Sequence, residues 1–309
     1  MIDRKLVSRV SDRISFLYVE KAKIVKSNNT LCIENHTGKY LIPAGMILTL
    51  FLGPGTSITH DAISYIAESG MCIVWTGTKE NKTYAYGECL NHSSDMIYTQ
   101  AKYVTNKRKH LEIARKMYQM RFPNDDFTGL SIAKMRGKEG TRMRQIYSKY
   151  AKQFNVPWYG RNYDPKNYNA SDLPNQILTT ANQILYGICT AAIVALGFSP
   201  ALGFIHVGLD KSFVYDVSDL YKAEITIPIS FKLASEFNRI SGVDTTSSTF
   251  QSAIRKSLQD RICTNKLLTN IVHNLFELFN LSESQISVLY LWDNVKDLQT
   301  SGIQYEEIK

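Results

Sequence analysis

Residues 94–121, SDMIYTQAKYVTNKRKHLEIARKMYQMR, are where the chain changes character. Ser94 and Asp95 supply a helix start signal, and no Gly or Pro interrupts the run as far as Arg121, so a helical period takes over here. Upstream, the pattern predicts short strands over 14–18, 31–34, 40–42, 47–51, 71–75 and 83–86. Turn residues such as Ser27-Asn28-Asn29, His36-Thr37-Gly38 and Gly53-Pro54-Gly55 separate them. One helical pattern over 59–69, on Ala62, Ile63, Ile66 and Ala67, is closed by Gly70. Downstream, helices are predicted over 130–154, 174–196, 212–223, 228–237, 247–262 and 265–279, with Pro157, Gly197, Pro200 and Gly242 between them. The class is therefore α+β. A small mostly-β domain over 1–92 precedes an all-helical C-terminal domain over 93–281. The stretch 282–309, with an apolar patch at Val288, Leu289, Leu291 and Trp292, reads as a mobile or partner-binding tail.

A chain of 309 residues exceeds the usual size of one domain and has room for two cores. No run of eighteen apolar residues occurs, and Met1-Ile2-Asp3-Arg4-Lys5 lacks the apolar stretch of a signal peptide, so a cytoplasmic protein with no membrane partner is expected. Cys32, Cys72, Cys89, Cys189 and Cys263 are scattered without a Cys-x-x-Cys pair and are expected to be reduced core residues. The net charge of +8 is concentrated: between Lys102 and Lys152 there are 14 Lys or Arg against 4 Asp or Glu. That excess suits either a phosphate-binding surface or a solvated basic face.

Within this basic stretch, Met135-Arg136-Gly137-Lys138-Glu139-Gly140-Thr141-Arg142 holds one acid among basic residues. Helical spacing aligns Glu139 with Ile132, Met135, Met143 and Ile146, on the apolar stripe. A carboxylate there needs compensation; a metal ion would supply it, and so would a salt bridge to Arg136 or Arg142. A second group lies at Gly203-Phe204-Ile205-His206-Val207-Gly208 and the helix that follows, where Asp216 and Asp219 are three apart on one face. With a third carboxylate these would suit Mg²⁺ or Mn²⁺. A hydrogen-bonded structural histidine and a helix N-terminal acidic pair account for the same residues. Trp158, Tyr159, Tyr163, Tyr168 and Tyr186 interleave with cations, as rings that stack on unpaired bases do.

The runs Arg136-Gly137-x-Glu139-Gly140-x-Arg142, Trp158-x-Gly160-Arg161-x-Tyr163-Asp164-Pro165-Lys166, Gly203-Phe204-x-His206-x-Gly208 and Ser212-Phe213-Val214-Tyr215-Asp216-x-x-Asp219 resemble the CRISPR-associated integrase, the first of the numbered Cas proteins, in its type I-E form. The likeness spans about residues 12 to 280. It implies a helical catalytic domain, a homodimer, and a complex in which two such dimers flank a dimer of the small second Cas protein. Carried across, the metal ligands fall on Glu139, His206 and Asp219, with Asp216 as a supporting ligand, and the catalytic set is Glu139, His206 and Asp219. Tyr163 and Tyr186 match tyrosines near the end of the captured DNA. Arg136 and Arg142 sit where the family's backbone-binding cations are expected, and Arg108 and Arg115 of the basic stretch, Arg161 and Lys166 beside Tyr163, and Lys211 and Tyr215 complete the expected DNA-binding set. Ser57 and Leu209 stand where relatives carry arginine and lysine.

The implied activity is insertion of double-stranded DNA with splayed 3′ ends into CRISPR repeat DNA, the adaptation step of antiviral defence. A 3′-hydroxyl attacks a phosphodiester at the leader-repeat boundary, with Mg²⁺ or Mn²⁺ as Lewis acid. Two alternatives remain open: a stand-alone structure-specific DNA endonuclease, and a non-catalytic DNA-binding scaffold. Convergent acids distinguish the enzymes from the scaffold, because a scaffold needs only cations.

Overall fold

The computed structural model of the chain describes residues 14–77, 83–87, 94–162, 171–239, 244–245 and 247–281. Its N-terminal part consists of β1 (Ile14–Val19), β2 (Lys23–Ser27), β3 (Thr30–Asn35), β4 (Gly38–Ile42), β5 (Ile47–Leu52), β6 (Ser57–Ile58), α1 (His60–Glu68), β7 (Cys72–Thr76) and β8 (Thr83–Gly87). Among the described residues these form two four-stranded sheets, ordered β1-β5-β7-β8 and β4-β3-β2-β6. β1, β5 and β7 are parallel and β8 is antiparallel to β7. β2, β3 and β4 form an antiparallel meander, with β6 parallel to β2. β2 and β6 have no counterpart in the sequence-based assignment. Only Ile24 of β2 is fully buried, so its apolar alternation is too weak to signal a strand.

All six residues of β5 are buried, the signature of a strand covered on both faces. Leu50, Leu52 and Ile73 join the core under α1, while Phe51, Cys72 and Val74 join the core of the helical part, as alternate residues of a strand must. One continuous core therefore unites the first sheet with the helices.

Those helices are α2 (Asp95–Thr105), α3 (Lys107–Arg121), α4 (Ile132–Phe154), α5 (Leu173–Ala195), α6 (Ser212–Asp219), α7 (Thr226–Phe237), α8 (Ser248–Thr264) and α9 (Leu267–Phe279). The expected unbroken run over 94–121 is divided at Asn106. That residue has extended backbone, and its carboxamide oxygen accepts from the N–H groups of Arg108 and Lys109, 3.0 and 3.1 Å away. An asparagine that caps a helix in this way starts a new one. α6 likewise ends at Asp219, short of residue 223.

α5 is the axis of the helical part, capped by Asp172, whose carboxylate accepts from the Asn175 N–H at 3.1 Å. By length and composition it could cross a membrane, but 89% of its apolar window is buried inside the protein. Near its middle, Gly187 lies against the ring of Phe51, which leaves no room for a Cβ. Cys32, Cys72 and Cys189 are buried, whereas Cys263 is exposed on α8, contrary to the core position expected for it; Cys89 lies outside the described residues.

The Phe51–Gly187 contact gives a testable expectation. Gly187→Ala overpacks the junction and lowers unfolding free energy by about 1–3 kcal/mol. Phe51→Leu in the same chain relieves part of that loss, so denaturant melts of the two single variants and the double variant show coupling; simple additivity would disprove the contact.

Candidate active site

The segment between α5 and α6 carries His206 and is held by side chains from α2, α3, α4 and α6. Gln100, fully buried on α2, donates to the carbonyls of Ser199 (3.0 Å) and Leu202 (2.9 Å) and accepts from the Ser199 N–H (2.7 Å). On α3, the ring nitrogens of His110 lie 3.1 Å from the Val104 carbonyl and 2.7 Å from that of Phe204. Arg136 of α4 donates to the Ile205 carbonyl. Gly203 fits because a Cβ would press on the His206 carbonyl and on Ser212.

Asp216 of α6 completes the hold. One of its oxygens accepts from the N–H groups of Phe204 (2.5 Å) and Ile205 (3.0 Å), the other from the N–H of His206 (2.8 Å) and from its Nδ1 (2.8 Å). Four donors occupy the whole acceptor capacity of a carboxylate. In the structure Asp216 anchors the segment and orients the imidazole. With Nδ1–H given to Asp216, Nε2 is left as the ring's free nitrogen, the arrangement by which carboxylates set metal-binding histidines. The same hydrogen bond, opposed by burial and assisted by the charge of Asp219, raises the pKa of His206.

Glu139 and Asp219 meet at Arg121, the last residue of α3. Nη1 of Arg121 is hydrogen-bonded to Oε1 of Glu139 and lies 3.4 Å from Oδ2 of Asp219. The remaining oxygens are also engaged: the Tyr118 hydroxyl donates to Oε2 of Glu139 at 3.0 Å, and Nζ of Lys222 lies 2.6 Å from Oδ1 of Asp219. Burial on its own would raise the Asp219 carboxyl, but Lys222 and Arg121 outweigh it and hold the pKa below the ordinary value. Tyr118 stays a protonated donor, its pKa raised by burial and by Glu139. Asp219 stands at the C-terminal end of α6, so the helix dipole does not favour it and its compensation comes from these two cations.

Glu139 does lie on the apolar side of α4, between fully buried Met135 and partly buried Met143. Its ion pair, however, is with neither of the expected partners. Arg136 is turned to Ile205, and Arg142 forms a bidentate pair with Asp125. Neither proximity along α4 nor charge could reveal Arg121, which arrives from another helix. Lys222, three residues after Asp219, and Tyr118, one turn before Arg121, are legible as same-face neighbours.

The other expected DNA-contacting residues divide. Arg115 donates twice to the Leu130 carbonyl, at 3.2 and 3.3 Å, and Arg161 bonds Asn175 (2.8 Å) and Thr179 (2.9 Å), so both clamp the protein's own chain. Arg108 is exposed at the start of α3. Tyr186 and Tyr215 meet edge to face at 5.1 Å, and Tyr215 also meets His206 at 5.8 Å. Tyr186 accepts a hydrogen bond from Lys222 at 2.7 Å. Lys211 precedes α6, its pKa lowered by burial. Tyr163 and Lys166 lie outside the described residues.

A family model described as "CRISPR associated protein Cas1" matches residues 16–126 and 128–237, which include every side chain of this cluster. The chain belongs to the Cas1 family. The CRISPR-associated endonuclease Cas1 of Clostridium sp. (strain SY8519) is 41% identical over 300 residues, covering 96% of this chain and 97% of that one. CRISPR-associated endonuclease Cas1 2 of Thermus thermophilus is 38% identical over 275 residues, covering 89% of this chain and 82% of that one. A crystal structure of a TtCas1-DNA complex superposes with a TM-score of 0.76 at 38% identity, covering 85% of this chain and 91% of that one. The β-rich part followed by a helical part is thus the fold of the Cas1 family.

In kind, two carboxylates on separate helices and a histidine with a free Nε2 suit a hard divalent cation. Among the described residues no three acids, histidines or cysteines form a closed cluster, and Arg121 lies between the two carboxylates. Asp216 carries the next expectation. Asp216→Ala strands the N–H groups of Phe204, Ile205 and His206 and lowers unfolding free energy by about 3 kcal/mol or more, measured by urea melts; a loss under about 1 kcal/mol would refute the anchoring role.

Proposed function

We propose that this protein is the DNA integrase of CRISPR adaptation, joining short DNA fragments into repeat DNA by direct transesterification. The convergence of Glu139 and Asp219 from α4 and α6, beside a histidine oriented by Asp216, carries this reading. Glu139, Asp219 and Nε2 of His206 would hold Mg²⁺ or Mn²⁺. When bound, the ion supplies Lewis acidity to the attacking 3′-hydroxyl and to the scissile phosphate. Lys222 adds positive charge where the phosphorane carries negative charge. The edge-to-face pair Tyr186 and Tyr215 forms an apolar wall beside His206, suited to the sugar or base at a DNA terminus.

Hydrolysis is the same displacement with water as acceptor. Relatives named as endonucleases support it as a second activity of this site. The type I-E form, a cytoplasmic setting, a homodimer and assembly with the small second Cas protein belong to the same proposal. So does a substrate with splayed 3′ ends.

The basic face supplies the phosphate contacts. Since Arg115 and Arg142 are tied to the protein itself, the exposed cations Lys102, Lys107, Arg108, Lys134, Arg144 and Lys152 are the better candidates.

Three measurements test the proposal. Glu139→Gln, His206→Ala and Asp219→Asn each abolish strand transfer while folded protein still binds DNA; full activity in any one removes that residue from the site. In a plot of log affinity against log salt, Arg108→Ala combined with Lys134→Ala lowers the slope by about 2, each phosphate contact contributing about 0.9. Arg115→Ala leaves the slope unchanged and lowers stability instead. Finally, Tyr163→Ala weakens binding to splayed-end DNA by about tenfold, because a base stack is worth roughly 1–3 kcal/mol. Tyr163→Phe, which keeps the π-face, changes little, and equal weakening on blunt duplex would sink the role of the ring.

A further inference from the structure

Arg121 has an unusual position for a buried arginine. Its side chain is 5% exposed, its Nη1 is shared by two carboxylates from different helices, and Nη2 meets the Met143 sulfur at 3.2 Å. Nε is buried and has no hydrogen-bond partner. A guanidinium placed for structural pairing would normally use its planar fork against one carboxylate, as Arg142 does with Asp125. Arg121 instead presents a single nitrogen to both acids and leaves a buried donor unsatisfied, an arrangement that costs stability.

The charges in this cluster already balance. Glu139 and Asp219 carry two negative charges, and Arg121 and Lys222 two positive ones. A divalent cation between the carboxylates would leave two positive charges in excess in a largely buried place, so one resident cation has to yield. Lys222 is firmly held, 2.6 Å from Asp219, 2.7 Å from the Tyr186 hydroxyl and 4.8 Å above the Tyr186 ring. Arg121 touches Asp219 only at 3.4 Å.

We propose that Arg121 is the resident counter-ion of this site: its guanidinium holds Glu139 and Asp219 together in the metal-free protein, is displaced from between them when a divalent cation binds, and so sets the affinity for that cation. The proposal rests on the reading of Glu139 and Asp219 as ligands. It makes Arg121 a positioning residue that competes with the metal and takes no part in the displacement at phosphorus. In the metal-free state it offsets the repulsion between two close carboxylates. In the loaded state the ion takes over that role.

The test is Mn²⁺ binding to the full chain, followed by calorimetry and by melting with and without the ion. Arg121→Met should bind Mn²⁺ about tenfold tighter or more, because a competing positive charge is gone. It should also melt lower than the parent without metal and regain most of the difference at saturating Mn²⁺. Arg121→Lys keeps a charge but loses the reach of the guanidinium; it should bind Mn²⁺ more tightly than the parent and less tightly than Arg121→Met. This variant decides the matter if the methionine variant does not fold. Unchanged or weaker Mn²⁺ binding in a folded Arg121 variant overturns the proposal, since a merely structural arginine would not raise metal affinity when removed. Glu139→Gln separates the two readings. Tight Mn²⁺ binding that survives Glu139→Gln refutes the assignment of ligands, and with it the competition.

Discussion

Two like charges brought together in a half-buried place are the constraint around which the helical part is arranged. Glu139 comes from α4 and Asp219 from α6, and nothing in either helix neutralises both. The compensation is distributed over other elements: Arg121 and Tyr118 from α3, and Lys222 from the turns after α6. Removing any one leaves an uncompensated buried group, which is more damaging than never having assembled the set. The ends of α3 and α6 and the middle of α4 are thus fixed relative to one another by charge as well as by apolar packing.

That arrangement depends in turn on a rigid support. α5, buried along almost its whole length, contacts the first sheet on one side through Gly187 and Phe51, and packs against α6 and α7 on others. The segment leaving α5 would be free to wander if only its own backbone held it. Gln100, His110, Arg136 and Asp216 each take one or more of its polar backbone groups. Every such bond satisfies a group whose burial would otherwise be unfavourable. The imidazole of His206 is consequently positioned by polar contacts from α2, α3, α4 and α6, in a region that has no regular structure of its own.

Much of this is legible in the sequence, for identifiable reasons. The change of period at Ser94 separates β-rich from helical chain, because alternation and a 3.6-residue repeat are distinct signals. Glu139 stands out since an acid on an apolar stripe demands a partner, and His206 with Asp219 stands out by spacing and by resemblance. What cannot be read is pairing across elements. Arg121 is one of 14 cations in a basic run, and only the fold shows that it is turned inward. Asp216 looks equivalent to Asp219, yet a rotation of three residues along α6 points one at backbone N–H groups and the other at cations. The break at Asn106 is hidden because asparagine is tolerated within a helical pattern and only its cap hydrogen bonds reveal the new start.

The same distinction bears on how the basic surface is to be understood. A count of charges treats all cations alike, but a cation already paired with a carboxylate or a carbonyl cannot be taken up by a phosphate without first losing that bond. Arg115, Arg121, Arg142 and Arg161 are each engaged in this way, while much of the lysine complement of α2 to α4 remains exposed. Arginine's rigid fork suits fixed internal geometry, and lysine's flexible ammonium suits a mobile, hydrated counter-ion. The division that matters is by partner: Arg115, Arg121, Arg142, Arg161 and Lys222 are held by the protein's own groups, while the exposed lysines of α2 to α4, with Arg108 and Arg144, set the positive field over this face.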